Sequence, residues 1–254
     1  IPELPVDIVA ESFRALVEID QNWVPKKAGT SMYIRPTVIA TETFLGVHPS
    51  HSYLYYVIAG PVGAGCAAAA AFMLADKGVS VCVTYTAGRD TAEATAAAIR
   101  AKGAKAIAVQ ADLETFAGAK SIVDAALKKH KRVDVLINNA GLAAGRDWFD
   151  EADMEDWETM IDTNVKGLLY LSKAVIPGMK ERKAGHIINL GSTAAKEVYE
   201  KGNVYCATRS AVEAISQSMR IDLLRFGIKV TTVHPGAAET EFSLVRLKRD
   251  AEKA

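Results

Sequence analysis

Three side chains late in the chain could carry out proton chemistry together. Ser192 follows the apolar stretch HIINL, and Tyr205 stands four positions before Arg209. If Tyr205 begins a helix, positions i and i+4 share one face, which brings the guanidinium beside the phenol. A phenol ordinarily titrates near pH ~10, and a neighbouring fixed cation favours its ionised form. The trio predicts a general acid–base site in which the serine hydroxyl binds the oxygen that the tyrosine protonates.

The same spacing has a second interpretation that involves no chemistry. A tyrosine and an arginine four positions apart often pair on the surface of a helix. The rest of the sequence has to decide between the two interpretations.

The composition is that of a globular protein. The chain has 254 residues, of which 50% are hydrophobic and 24% charged, and its formal net charge is zero. A zero net charge gives no electrostatic basis for binding nucleic acid or an anionic membrane. The three cysteines are scattered without the spacing of metal ligands, so we expect reduced thiols, no metal site and a cytoplasmic location. The sequence shows neither a signal pattern nor an apolar run that spans a bilayer, so we expect no export and no membrane insertion.

Strand and helix patterns alternate from residue 53 onward. The stretch YLYYVIAG predicts a buried strand, GPVGAG a turn, CAAAAAFMLADKG a helix and VSVCVTY a second strand. Further helix and strand patterns follow as far as IKVTTVHPG. Successive βαβ units of this kind build a doubly wound parallel sheet. The predicted fold class is therefore α/β, with a Rossmann-like domain over residues 53–254 and an α+β extension before it.

Three motifs between residues 66 and 254 resemble the short-chain dehydrogenase/reductase family. They are a serine followed by Y-x-x-x-cation, the stretch N-N-A-G directly after the strand VDVLI, and P-G-x-x-x-T after the last strand. The resemblance implies hydride transfer between NAD(P) and a hydroxyl or carbonyl substrate. It assigns the catalytic positions to Ser192, Tyr205, Arg209 and Asn164, where Asn164 holds a water and Arg209 takes the place of the family's lysine.

The resemblance also implies a set of cofactor contacts, and the residues favour NADP over NAD. The second strand ends in VTYTA, which lacks the acidic residue that binds the ribose hydroxyls of NAD, and Arg89 follows it. An arginine suits the 2′-phosphate of NADP. Asp112 is expected at the adenine, and Gly141 is expected to leave room for the cofactor. The implied contacts, in chain order, are Gly60, Gly63, Gly65, Arg89, Asp112, Asn138, Ala140, Gly141, Pro235, Gly236 and Thr240.

The glycine turn departs from the family's pattern. Its glycines at 60, 63 and 65 are one residue short of the family's spacing, and Pro61 lacks a donor N–H. Arg209 is a second departure, because an arginine hardly releases its proton. Both departures keep open another hypothesis, a recombined or designed scaffold that folds without turnover.

Two further stretches, GNVYCAT and ETEFSLVRLK, resemble the branch that oxidises serine and other 3-hydroxy acids with NADP. Phe242 and Arg246 then lie where a substrate lid would begin, and Arg246 could pair with the substrate's carboxylate. The chain stops before the rest of the lid and a seventh strand, so we expect a sheet that is truncated at its C-terminus. The expected partners are a small-molecule substrate and a second copy of the chain, docked through the predicted helices 153–182 and 203–226.

Residues 4–64 resemble a different family. The stretches LVEIDQNWVP, SMYIRPTVIATETFLGVHPS and VIAGPVGAG are similar to the small domain of branched-chain aminotransferases, in which Tyr33 and Arg35 would help to form the substrate pocket. The larger domain that holds pyridoxal phosphate in that family does not follow, so an inert aminotransferase fragment is a third interpretation. The chain therefore resembles a chimera, with an aminotransferase-like segment at 1–52 and a dehydrogenase domain at 53–254.

Overall fold

The computed structural model describes residues 55–59 and 66–235, and within them six parallel strands form one sheet in the order β3-β2-β1-β4-β5-β6. The direction of strand addition reverses between β1 and β4, and ligands of such sheets bind at this switch point. The strands are β1 (Tyr55–Ala59), β2 (Ser80–Tyr85), β3 (Ala106–Gln110), β4 (Val135–Asn138), β5 (Gly185–Leu190) and β6 (Ile228–Val233). The predicted Rossmann-like α/β fold is confirmed.

Helices connect the strands and cover both faces of the sheet. They are α1 (Cys66–Ala75), α2 (Arg89–Ala101), α3 (Phe116–His130), α4 (Met154–Ile161), α5 (Gly167–Arg182) and α6 (Asn203–Leu223). The long helix predicted over residues 153–182 is divided, because a π-helical turn, Asp162–Lys166, separates α4 from α5. Such π turns are frequently found at functional sites, and this one contains Asn164.

The core consists of two layers, one on each face of the sheet. On one face α1 and α2 pack against alternate strand residues such as Val81 and Val83, and on the other α3 and α5 pack against Cys82, Leu136 and Ile187. Every residue of β2 and β4 is buried. Central strands of a parallel sheet are covered on both faces, which is why their sequences are nearly continuous apolar runs.

The residues before 55, together with the predicted boundary at 52/53, lie outside the described part of the chain. The aminotransferase-like segment and its residues Tyr33 and Arg35 therefore stay predictions. Among the residues that the structure describes, the helices are all too short or too polar to cross a bilayer.

The packing of β5 predicts a large difference between two isoleucines. Ile187 is fully buried beneath helices α3 and α5, whereas Ile221 on α6 is 77% exposed. Exchanging Ile187 for alanine should lower the free energy of unfolding by about 2–5 kcal/mol, because it leaves a cavity. The matched control, Ile221→Ala, should change it by about 0.5 kcal/mol or less. Urea denaturation followed by circular dichroism measures both, and equal losses in the two variants would contradict this packing.

Candidate active site

The predicted catalytic residues lie at one edge of the sheet, where the parallel strands end. Ser192 follows the carboxyl end of β5, and the stretch containing Gly141 follows that of β4. Tyr205 and Arg209 lie in the first turns of α6, which is the next helix after β5. Carboxyl ends of parallel strands share one edge of a sheet, so residues that are far apart in sequence meet there.

Ser192 and Tyr205 lie on the same side of the fold. Ser192 caps the short turn Thr193–Ala195, because its Oγ accepts a hydrogen bond from the amide of Ala194 at 3.1 Å. The side chain of Ala194 packs in one small apolar cluster with the ring of Tyr205. Tyr205 is only 7% exposed, and Ser192 is half-buried. Tyr205 therefore packs in the same cluster as Ala194, the residue whose amide Ser192 binds.

Arg209 contacts the tyrosine as the spacing predicted, but it lies beneath the surface. Only 5% of the residue is exposed, and its Cζ lies 5.0 Å from the centre of the Tyr205 ring, within the range of a cation–π contact. Its Nη1 donates to the carbonyl of Leu190, at the end of β5, at 3.2 Å. Within the described part of the chain, Nε makes no hydrogen bond. The interpretation as a solvent-exposed surface pair is therefore wrong.

The guanidinium of Arg209 fills the space beside Gly141. A Cβ atom added to Gly141 would lie 2.8 Å from Nη1 and 3.0 Å from Cζ, and closer still to Nη2. We expected the missing side chain of Gly141 to leave room for a cofactor. The structure places the arginine in that room, because its planar head is wider than the ammonium of the lysine that the family uses.

Asn164 fixes the loop after β4 against α6. Its Oδ1 accepts from the amide of Leu142, and its Nδ2 donates to the carbonyl of the same residue, both at 2.8 Å. Nδ2 also donates to the Oγ1 of Thr208, one turn along from Tyr205, at 3.0 Å. The residue is 1% exposed. Its amide is thus engaged with protein partners, and its predicted role in holding a water stays a prediction.

A chain of buried polar side chains joins the ends of β4 and β5. The Nδ2 of Asn138 donates to Asn189 Oδ1 at 2.8 Å and to Ser172 Oγ at 3.1 Å. The Nδ2 of Asn189 donates to Ser216 Oγ on α6, also at 2.8 Å. All four residues are at most 3% exposed. The sequence identified Asn138, but not Asn189, whose only signal is one amide within the apolar stretch HIINL.

His234 and Glu213, which the sequence did not indicate as site residues, form a pair next to the main chain of Ser192. His234, just after β6, places Nδ1 against the main chain of Ser192 and Nε2 at 2.7 Å from the carboxylate of Glu213 on α6. Burial raises the pKa of Glu213, but hydrogen bonds from Gln217 and His234 outweigh it. The charge of Lys196 acts in the same direction, so the pKa lies below its ordinary value.

A small cleft lies at the same edge of the sheet. It lies beyond the ends of β2, β3 and β4 and is partly open to solvent. Asp112 lies on its edge, and the side chains of Leu113 and Ala140 form apolar walls. Arg89 is exposed at the first position of α2, where a helix N-terminus favours an anion and where no side chain caps the free amides. These residues suit one half of a dinucleotide that carries an extra phosphate.

Seven of the predicted contacts lie outside the described residues. Pro235 is described, and its carbonyl accepts from the amide of Thr193 at 3.3 Å. The structure gives no account of Gly60, Gly63, Gly65, Gly236, Thr240, Phe242 and Arg246. Among residues 55–59 and 66–235, no group of three His, Cys, Asp or Glu side chains is placed to hold a metal ion.

A family model for short chain dehydrogenases matches residues 56–250. The chain belongs to the short-chain dehydrogenase family. The match begins at β1 and includes the whole of the described sheet apart from its first residue. The resemblance of residues 4–64 to aminotransferases is not confirmed by it and stays a prediction, as does the chimeric organisation.

Relatives with a named activity are identical to this chain at about half of the aligned positions. The NADP-dependent 3-hydroxy acid dehydrogenase YdfG of Salmonella typhi is 47% identical over 153 residues, which are 60% of this chain and 62% of that protein. The protein of the same name from Escherichia coli K12 is 54% identical over 123 residues, 48% of this chain and 50% of its own length. The matched part of the chain therefore spans between half and two thirds of the length of these curated relatives.

Solved structures agree with the fold. The closed form of a serine dehydrogenase complexed with NADP+ superposes with a TM-score of 0.71 at 38% identity, covering 79% of each chain. A levodione reductase superposes with a TM-score of 0.73 over 79% of this chain and 78% of its own, at 21% identity, which supports the fold alone.

The depressed pKa of Glu213 predicts a pH-dependent contribution to stability. A carboxylate whose folded pKa is lower than its unfolded value of about 4.5 stabilises the fold above that pH, and the effect is lost as the pH falls through the folded pKa. Glu213→Gln should therefore cost about 1 kcal/mol at pH 7 and progressively less toward pH 3. Urea denaturation at four pH values measures it, with the exposed Glu93→Gln on α2 as the control. A difference between Glu213→Gln and the wild type that is independent of pH would contradict the prediction.

Proposed function

We propose that the protein is an NADP-dependent oxidoreductase that transfers hydride between the cofactor and a hydroxyl or carbonyl carbon of a small substrate. The observation that carries this proposal is that Ser192, Tyr205 and a cation lie together at the edge of the sheet where the parallel strands end. Membership of the short-chain dehydrogenase family gives the same reaction class.

The side chains divide the proton chemistry between them. Tyr205 takes the proton of the substrate's hydroxyl group, and in the reverse direction it returns the proton to the carbonyl oxygen. Ser192 donates a hydrogen bond to the same oxygen, which its Oγ can do while it accepts from Ala194. Arg209 places a fixed positive charge beside the tyrosine, 5.0 Å from the centre of its ring. The nicotinamide, when bound, accepts or supplies the hydride.

NADP is the proposed cofactor, because residues 83–87 at the end of β2 contain no carboxylate and Arg89 follows them. Arg89 and the uncapped amides at the start of α2 suit its 2′-phosphate, and Asp112 and Ala140 lie beside the cleft for the adenosine half. The two YdfG proteins named above are NADP-dependent, and the serine dehydrogenase structure contains NADP+. Their names also favour a 3-hydroxy acid such as serine as the substrate, with Phe242 and Arg246 as its proposed contacts.

The buried arginine supports a second proposal, that turnover is weak or absent. A lysine can pass a proton onward, whereas the guanidinium of Arg209 hardly releases one. It also fills the space beside Gly141 and is bonded to the carbonyl of Leu190. Under this proposal the chain binds the cofactor better than it reacts with it.

Location and assembly are proposed from the cysteines and from exposed apolar side chains. Among the described residues, Cys82 and Cys206 are free, buried thiols, which suits a reducing compartment such as the cytoplasm. Leu169 on α5 and Leu224, directly after α6, are exposed by 41% and 69%. These residues favour the predicted docking of two copies through the helices that carry them.

The first test of the proposed reaction is removal of the phenol oxygen. Tyr205→Phe should lower the rate of NADPH oxidation with a 3-oxo acid by at least about a hundredfold, because general acid catalysis is lost. Binding of NADPH, measured by fluorescence, should persist. The control is Tyr170→Phe on α5, whose ring packs edge-on against Phe116 away from the site. Retention of the full rate in Tyr205→Phe would refute the assigned role.

The second test restores the family's cation. Arg209→Lys should raise kcat roughly tenfold, because a lysine can release its proton and its smaller head frees space beside Gly141. Affinity for NADPH should change less than kcat does. Steady-state kinetics of the two proteins side by side measure the effect, and a wild type faster than the lysine variant would contradict it.

A further inference from the structure

The segment that joins β3 to α3 forms one side of the cleft at the strand ends. Its residues Ala111, Asp112, Leu113 and Glu114 line the cleft. Leu113 is 6% exposed and packs in the core layer that contains α3 and α5. Asp112 is exposed, and its Oδ1 accepts from the amide of Glu114 at 2.8 Å. One buried side chain and one local hydrogen bond thus give this segment a defined conformation.

Hydrogen bonds also join the start of this segment to the end of β2. The amide of Ala111 donates to the carbonyl of Tyr85 at 3.0 Å, and its carbonyl accepts from Oγ1 of Thr86 at 3.3 Å. Nε2 of Gln110 donates to the carbonyl of Thr86 at 3.2 Å. Arg89, the proposed contact of the 2′-phosphate, follows three positions after Thr86. The segment is therefore connected to the part of the chain that leads to Arg89.

The first turn of α3 binds the main chain of Asp112. Thr115 caps this helix, because its Oγ1 accepts from the amide of Gly118 at 3.1 Å. The same Oγ1 donates to the carbonyl of Asp112 at 3.4 Å. A hydroxyl group can donate one hydrogen bond and accept another, so one side chain connects Asp112 to the helix.

Gly118 allows α3 to approach the same carbonyl group. A Cβ atom added to Gly118 would overlap the carbonyl oxygen of Asp112, and it would lie 2.8 Å from the carbonyl carbon. These are main-chain atoms, which cannot rotate away as the end of a side chain can. A side chain at position 118 would therefore displace the main chain of Asp112 or the start of α3.

Gly167, at the start of α5, also faces this segment but leaves more room. A Cβ atom added to Gly167 would lie 3.4 Å from the Cβ and 3.5 Å from the carbonyl oxygen of Leu113. Both distances are ordinary van der Waals contacts. Alanine therefore fits at 167 but not at 118, and the same substitution should disturb the segment in only one of the two places.

We propose that Thr115 and Gly118 are positioning residues, which fix the main chain of Asp112 for the adenosine half of the cofactor. The inference rests on the proposed function, in which NADP binds beside Asp112. Both residues act through Asp112 rather than by touching the cofactor. Their substitution should therefore weaken cofactor binding and leave the proton chemistry at Tyr205 intact.

Binding of adenosine 2′,5′-bisphosphate, which is one half of NADP, tests the inference without turnover. Gly118→Ala should raise the Kd of this probe, measured by calorimetry, and the Kd of NADPH, measured by fluorescence, about tenfold. The control, Gly167→Ala, should keep both within about twofold. In steady-state kinetics, Gly118→Ala should raise KM for NADPH and keep kcat at saturating NADPH within about twofold. A lower kcat with an unchanged KM would contradict the positioning role.

Thr115 provides a second test, which decides alone if circular dichroism shows that Gly118→Ala does not fold. Thr115→Ala should raise the Kd of the bisphosphate at least about threefold, and Thr115→Ser should restore the wild-type value because it keeps both hydrogen bonds. The control is Asp153→Ala, which removes a cap of the same kind from α4. Oδ1 of Asp153 accepts from the amide of Glu155 at 2.9 Å, and neither residue lines the cleft.

The outcomes separate this inference from the proposed function. A wild type that binds the bisphosphate no more tightly than Thr115→Ala and a folded Gly118→Ala would overturn the inference alone. Equal losses of affinity in Thr115→Ala and Asp153→Ala would also overturn it, because a missing helix cap would then explain both. A wild type that does not bind the bisphosphate would refute the proposed cofactor, and the inference with it.

Discussion

The hydrogen bond between Asn138 and Asn189 is the interaction on which the geometry of the site depends. It joins the last residue of β4 to a residue near the end of β5 at 2.8 Å, in a region from which water is excluded. A buried amide without a partner costs about 1–3 kcal/mol, so the two strand ends are strongly held together. The loop with Gly141 follows one of them and Ser192 follows the other. The spacing of the proposed cofactor and substrate contacts is therefore a property of the sheet rather than of the loops.

Arg209 affects both the electrostatics and the packing of the site. A cation that is 5% exposed has lost most of its hydration, which is replaced by one carbonyl and the face of one aromatic ring. The same head group is packed against Gly141. The family has a lysine at this position, and its ammonium group is narrower than a guanidinium. The exchange of lysine for arginine therefore changes both proton transfer and the space beside Gly141. Whether the enzyme is active or impaired therefore depends mainly on how Arg209 affects turnover.

The sequence predicted the sheet, the helices and most of the site because their signals are local. Apolar runs identified the strands, and i, i+4 spacing identified the contact of Tyr205 with Arg209. It missed the contact of His234 with Ser192, which are 42 positions apart, because only the folded sheet brings their strands together. It also assigned the space beside Gly141 to a cofactor, since the width of a guanidinium matters only once the helix is docked. The π turn at Asn164 has no periodicity that distinguishes it from the α-helix around it.

The close fit of Arg209 against Gly141 constrains how the protein can evolve. Any side chain at 141 meets the guanidinium, so substitutions at the two positions are not independent. A lineage that first shortens residue 209 can later accept alanine at 141, whereas the reverse order passes through an overcrowded intermediate. The contact between the two residues thus determines the order in which they can be substituted, and laboratory evolution of the site should begin at residue 209.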